Sequence, residues 1–166
     1  MPDKSTLKRA AQDRRAGKSA STQAGEFVRQ EMHHIREGKH GAKNAKQAIA
    51  IGLSEARRAG VRLEAPAKGE AKERTRKSAE RALRAGKKGA RKKVSAKRSR
   101  ATKRVLKREP RSAASHRALS RQAHSAAARR TRSDRSAAAR KASRTKGHAA
   151  RSRAAQKAAR TRASQR

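Results

Sequence analysis

Only 16 of the 166 side chains are apolar and larger than alanine, and Phe27 is the one aromatic among them. This scarcity limits what the chain can fold into. Ordering a residue costs about 1–2 kcal/mol of backbone entropy. Fully burying a large apolar side chain returns about 1.5–3 kcal/mol. A core spread evenly over the whole length is therefore excluded. The apolar residues are in fact clustered: nine of the 16 lie between Phe27 and Leu63, and none follows Leu119. That distribution permits a small core in the first half with long polar flanks.

Charge leans the other way. Fifty Lys and Arg stand against 12 Asp and Glu, a formal net charge of +38. Residues 1–80 hold 19 basic and 10 acidic residues, whereas residues 81–166 hold 31 basic residues and only Glu109 and Asp134 as acids. A chain this cationic calls for a polyanionic partner. The absence of cysteine excludes disulfides, thiolate metal sites and a cysteine nucleophile. It fits a reducing cytoplasm. Met1-Pro2-Asp3-Lys4 leads into Leu7-Lys8-Arg9-Ala10 without the apolar run of a signal peptide. No stretch approaches the roughly 18 apolar residues of a membrane span. The expected location is cytoplasmic.

Periodicity divides the chain into four parts. Residues 1–21 form a basic arm with a short helix at Thr6–Ala16; its single Leu7 offers little to pack with, so the arm is expected to be mobile. Residues 22–64 read as a helix-turn-helix-like hairpin. Ser21 or Thr22 can cap its first helix, with Glu26 in the opening turn, where a carboxylate favours the helix dipole. Val28, Met32 and Ile35 fall on one stripe with Phe27 at its border, and Gly38 is a natural stop. Asn44 and Gln47 suggest a capping box for the second helix, with Ile49, Leu53 and Ala56 on its apolar face and Gly60 after its end. Residues 65–90 form a mixed-charge connector with a third helix at about 70–85. Residues 91–166 are a Lys/Arg/Ala-rich low-complexity tail. The fold class is mainly α: a small hairpin core, residues 22–60, flanked by the arm and by a conditionally helical or disordered cationic tail.

The tail contains a repeat. Ser125-Ala-Ala-Ala-Arg129 recurs as Ser136-Ala-Ala-Ala-Arg140 and loosely as Gly147-His-Ala-Ala-Arg151, at an interval of 11 residues. Eleven residues fill nearly three helical turns, so a continuous helix would hold each charge series along a slowly drifting line. Like charges repel in free solution, and neutralisation on a polyanion would favour the helix that Ala and Arg prefer.

The chemistry this composition supports is phosphate neutralisation. Candidate nucleic-acid-binding residues are Lys39 and Lys43 beside the second helix, Lys92, Lys93, Lys97 and Arg98 at the start of the tail, and Arg129, Arg130, Arg140, Lys141, Arg151 and Arg153 within it. Base reading has no support: zinc ligands, a polar recognition cluster and stacking aromatics are all missing. Gly38-Lys39-His40-Gly41 lacks the spacing of a nucleotide-binding loop. His33 and Glu37 share a helix face at i, i+4, but no third ligand is evident, so no metal site is expected. Nor is catalysis, since the sequence shows neither a pocket-sized core nor a spare buried carboxylate. Glu26, Glu31 and Glu37 are expected to pair with Arg29, Arg36 or Lys39 on the surface. No cofactor is implied.

Gly25-Glu-Phe-Val-Arg29, Glu31-Met-His-His-Ile-Arg36, Gly38-Lys-His-Gly41 and Lys46-Gln-Ala-Ile-Ala-Ile-Gly-Leu-Ser54, followed by Ala56-Arg-Arg-Ala-Gly60, resemble a bacterial family of small basic proteins. Some of its members carry labels such as DNA-binding or plasmid stabilisation protein. The likeness covers residues 19–64 and implies association with DNA. The tail is similar in composition to bacterial histone H1-like proteins. The resulting expectation is a non-enzymatic, nucleoid-associated protein that binds duplex DNA without sequence specificity, with weak self-association through the hairpin. The alternatives are an RNA- or ribosome-associated protein, and an adaptor whose apolar hairpin faces bind a partner helix. Membrane binding is not expected, because the cationic tail lacks apolar anchors.

Overall fold

The computed structural model describes residues 2–87 and 95–164, and these are helical throughout their regular elements. The chain is mainly α. It divides into two compact units, residues 1–122 and 123–166. Among the described residues no helix is long and apolar enough to cross a membrane. Of the expected site residues, Lys92 and Lys93 lie outside the described residues.

The centre of the first unit is the hairpin of α2 (Ala20–Arg36) and α3 (Ala45–Arg58). The cap of α2 is Ser19, whose hydroxyl accepts from the Thr22 amide at 3.4 Å, earlier than Ser21 or Thr22. Glu26 therefore lies beyond the first turn, where it meets Arg9 at 2.6 Å and Arg29 at 3.6 Å instead of the helix dipole. Asn44 caps α3 by accepting from the Gln47 amide at 2.9 Å. The Gln47 side chain reaches one residue past the cap, to the Lys43 amide at 2.9 Å. Gly60 (φ +94°) ends α3 in the left-handed region, and buried Val61 donates back to the Ala56 carbonyl at 3.1 Å.

Two apolar clusters hold the hairpin. Met32, Ile35, Ala42, Ala48, Ala113 and Ala114 form one, flanked by Val28, Ile49 and Leu119. Ala10, Ala24, Phe27, Ala56 and Val61 form the other, flanked by Ala20, Leu53 and Leu63. Phe27 is thus not at the border of a stripe but at the centre of the second cluster, 1% exposed.

The arm is docked on the hairpin. Helix α1 (Lys4–Arg15) packs on α2 through small residues, Thr6 and Ala10, while Leu7 faces outward. A helix need not carry large apolar residues to dock when its partner supplies a phenylalanine. The connector also belongs to the unit: α4 (Glu73–Lys87) packs on α3 by way of Ala79 and Ala82. Arg57, buried beneath this layer, donates to the carbonyls of Leu63 (3.0 Å) and Glu64 (2.8 Å), and burial lowers its pKa.

Nor does the core end with the hairpin. Helix α5 (Ala96–Arg108) leads to a 3-10 turn, Arg111–Ala114, which lies against α2 and α3, and then to α6 (His116–Ala128). Buried Ala113 and Ala114 complete the first cluster. The turn is tied to the hairpin connector by Gly41 N–H donating to the Leu106 carbonyl (2.8 Å) and Ala42 N–H to the Pro110 carbonyl (3.2 Å). A Cβ at position 41 would run into the Glu109 carbonyl, so only glycine permits this approach.

The second unit is built on α7 (Arg132–Ala163). This tail is helical rather than disordered. Thr131 and Asp134 form a reciprocal capping box that satisfies its first amides, and its Ala- and Arg-rich sequence favours helix. Gly147 (φ +64°, ψ +168°) interrupts it. The 11-residue repeat therefore does not trace one continuous helical line.

Candidate nucleic-acid interface

Lys43 is an expected basic residue that the fold gathers with other cations into a concave site. It lines an open groove of about 550 Å³ together with Lys46 of α3 and Arg117 and Arg121 of α6. The walls are the start of α3 (Asn44, Ala45), the 3-10 turn and the start of α6 (Ser115, Ala118). Both helix starts are capped: the Asn44 side chain accepts from Gln47 N–H, and the Ser115 hydroxyl accepts from Ala118 N–H at 3.2 Å. Two positive helix ends thus open toward one groove that also holds four exposed cations. Among the described residues none of the four side chains meets a carboxylate in an ion pair. The arrangement suits an anion of extended shape, such as successive phosphates of a nucleic-acid strand.

Lys46, Arg117 and Arg121 were not evident as site residues from the sequence. The usable signal was the i, i+4 spacing of Arg117 and Arg121 directly after a Ser cap. Nothing local places that turn beside Asn44, because the contact depends on Ala113 and Ala114 docking across some 70 residues of chain.

The other expected residues separate. Lys39 is exposed but pairs with Glu37 at 3.0 Å, and its ammonium holds the Glu37 carboxyl below the usual carboxylate range. Lys97 and Arg98 sit exposed in the first turn of α5. In the second unit, Arg129 and Arg130 occupy the break before α7. Arg140 and Lys141 precede Gly147, while Arg151 and Arg153 follow it, and all are exposed. Residues 123–166 contain 14 Lys and Arg and a single acid, Asp134. That acid is committed to the capping box, where its hydrogen bonds to the Thr131 side chain and backbone hold its pKa low.

The apolar faces on which self-association or an adaptor role would depend also pack within the chain, with Met32 and Ile35 buried and Val28, Ile49 and Leu53 partly buried. Val28, Met32, Ile35 and Ile49 pack against the 3-10 turn and Leu119, and Leu53 packs in the Phe27 cluster.

A second cluster departs from expectation. His33 is exposed and Glu37 turns to Lys39, so that pair forms no ligand face. Glu31, by contrast, is buried rather than paired with Arg36, which instead donates to the Ala114 carbonyl at 3.0 Å. Burial pushes the Glu31 carboxyl up to about 7, with the positive charge of His40 opposing and the nearby Glu55 adding to the rise. Glu31, His34 and His40 each present a ligand atom, all within 4.8 Å of one another. These are the residues that can hold a metal ion.

A protein-family model described as a family of unknown function (DUF6496) matches residues 14–69, which run from the end of α1 through the hairpin and cover about a third of the chain. No curated protein and no solved structure matches the chain. The match takes in Lys43 and Lys46 but not Arg117 or Arg121, so the groove is completed from outside the matched segment.

Proposed function

We propose that this chain is a nucleoid-associated protein that binds duplex DNA without sequence specificity and compacts it by neutralising phosphates. The observation that carries the reading is the run of exposed Lys and Arg among the described residues of the second unit, whose single acid is held in a helix cap. Duplex DNA carries about one negative charge per 1.7 Å of axis. The net +13 of this unit matches roughly 22 Å of duplex, and the whole chain's +38 matches roughly 65 Å.

Two roles follow. The groove at the starts of α3 and α6 fixes the first unit on a strand through phosphate contacts that carry no base information. The second unit supplies a redundant set of cations, so that no single residue dominates. Arginine is suited to this role because its planar fork pairs with two phosphate oxygens at once. Binding to a polyanion through many such contacts releases counterions; 6–10 contacts imply a loss of about 10³–10⁵ in affinity between 50 and 200 mM salt.

The test compares the full chain with a variant whose cations after residue 128 are changed to Gln, on random-sequence duplex DNA and on structured RNA, across a salt series. Tighter or equal duplex binding, with a steep slope that flattens in the variant, supports a DNA compactor. Clear preference for RNA moves the function to an RNA-associated protein. Retention of the full slope in the variant removes the second unit from the mechanism.

A further inference from the structure

We propose that Glu31, His34 and His40 are the protein ligands of a divalent transition-metal site suited to Zn²⁺. Two of them lie at i, i+3 on α2, and the third comes from the connector just after the helix ends. Their donor atoms lie within 4.8 Å of one another.

The hydrogen-bonding arithmetic calls for a cation. His40 Nδ1 sits 3.1 Å from the Gly41 carbonyl oxygen. A carbonyl only accepts, so Nδ1 carries the proton there. In the neutral ring this leaves the Nε2 lone pair 3.6 Å from Glu31 Oε2. With the carboxyl ionised, two electron-rich atoms then face each other in a place where Glu31 is 2% exposed and its Oε1 has no hydrogen-bond partner; with the carboxyl protonated, 3.6 Å is too long for its O–H to donate to Nε2. An unsatisfied buried carboxylate is costly.

A second proton on His40 answers only part of this. The contact would be an ion pair at 3.6 Å, well beyond the roughly 2.7–2.9 Å of a charge-assisted hydrogen bond. Oε1 would stay unpaired. A metal ion answers the geometry better. Ligands at about 2.0–2.1 Å from tetrahedral Zn²⁺ lie about 3.3 Å from one another, close to the Glu31–His40 separation. The remaining separations close by rotation of the two imidazoles, which are partly exposed.

The surroundings have the form such sites take. A metal-bound histidine usually gives its other ring N–H to a carbonyl or carboxylate. His40 meets the Gly41 carbonyl, and His34 Nε2 lies 3.3 Å from the Asp3 carboxylate. Two imidazoles and one carboxylate form a ligand set that zinc accepts, with a fourth position left for water. The bound ion would join α2 to the connector that leads into α3.

The experiment uses the full chain, stripped with a chelator and exchanged into chelator-free buffer. Zn²⁺ is titrated by calorimetry, and Co²⁺ by its visible spectrum, which reports tetrahedral nitrogen and oxygen ligation. The expected result is one equivalent per chain and a thermal midpoint that rises with metal concentration. His40→Ala and Glu31→Gln should each weaken binding by more than about tenfold, and His33→Ala on the exposed neighbour should not. His34→Gln stands in if Glu31→Gln loses its helical circular dichroism. No saturable binding overturns the proposal, as does binding that survives both substitutions or that falls equally with His33→Ala.

Discussion

Replacing Lys43, Lys46, Arg117 and Arg121 together by Gln tests whether the groove holds phosphates or is merely a concave piece of a basic surface. Gln keeps most of the helix propensity of Lys and Arg, and none of the four is a cap, so Asn44 and Ser115 keep their bonds. Each phosphate neutralised on a duplex contributes about −0.9 to the slope of log K against log salt. Four contacts contribute about −3.6, so a fourfold rise in salt, from 50 to 200 mM, weakens binding through them alone by about 150-fold. The variant should therefore show a salt slope shallower by about 3–4, read by fluorescence anisotropy on a random-sequence duplex. A matched variant, with Lys8, Lys68, Lys72 and Arg74 changed to Gln, loses the same formal charge from exposed positions of the same unit outside the groove. If the two variants flatten the slope equally, bulk charge explains the binding and the groove has no special role. If neither changes it, the first unit does not touch the duplex.

Phe27→Ala should cost about 3–5 kcal/mol of unfolding free energy, since it empties the centre of the cluster formed by α1, α2 and α3; denaturant titration measures it, and a loss under 1 kcal/mol would contradict the packing. Gly52→Ala sets two terms against each other: helix propensity gains up to about 1 kcal/mol, but the new Cβ would lie 2.8 Å from the Val28 Cα, and overpacking against backbone typically costs about 1–3 kcal/mol. The net effect should be a lower thermal midpoint; a raised one would mean the hairpin separates freely. Asp134 has its pKa lowered by the Thr131 bonds, so its contribution to the start of α7 is present above the ordinary value of 3.8 and is lost as pH falls through the lowered value. Helicity, followed by circular dichroism, should therefore hold from neutral pH down to about 4 and fall below it, and Asp134→Asn should abolish that acid transition.

The hairpin was legible because its signals are local. Asn44, Gly38 and Gly60 mark element ends by their own conformational preferences, and Val28, Met32, Ile35, Ile49 and Leu53 announce their faces by spacing. What covers those faces was not legible, because it is done by alanine. Ala10, Ala79, Ala82, Ala113 and Ala114 are all buried, yet in a chain so rich in exposed alanine nothing in the sequence distinguishes them. Small residues bury little area each and add no periodic signal, but they let backbones approach closely. The unit thus extends to residue 122 on a supply of large apolar side chains that seemed sufficient only for a hairpin.

The same asymmetry governs the sites. Charge density is a sum over residues, so a polyanionic partner could be expected before any coordinates. A groove is a juxtaposition: Lys43 and Arg121 share one only because Gly41 lets residues 106–114 seat against the hairpin connector. Glu31 shows the limit most plainly. In sequence it is one of two acids among basic neighbours on α2, and a surface ion pair is the ordinary expectation. Its burial follows from long-range packing, and only then do its unpartnered oxygen and the facing His40 imidazole become a chemical problem that a metal ion would solve. Among the described residues Glu31 forms no ion pair with an arginine, and the group it faces is the His40 imidazole.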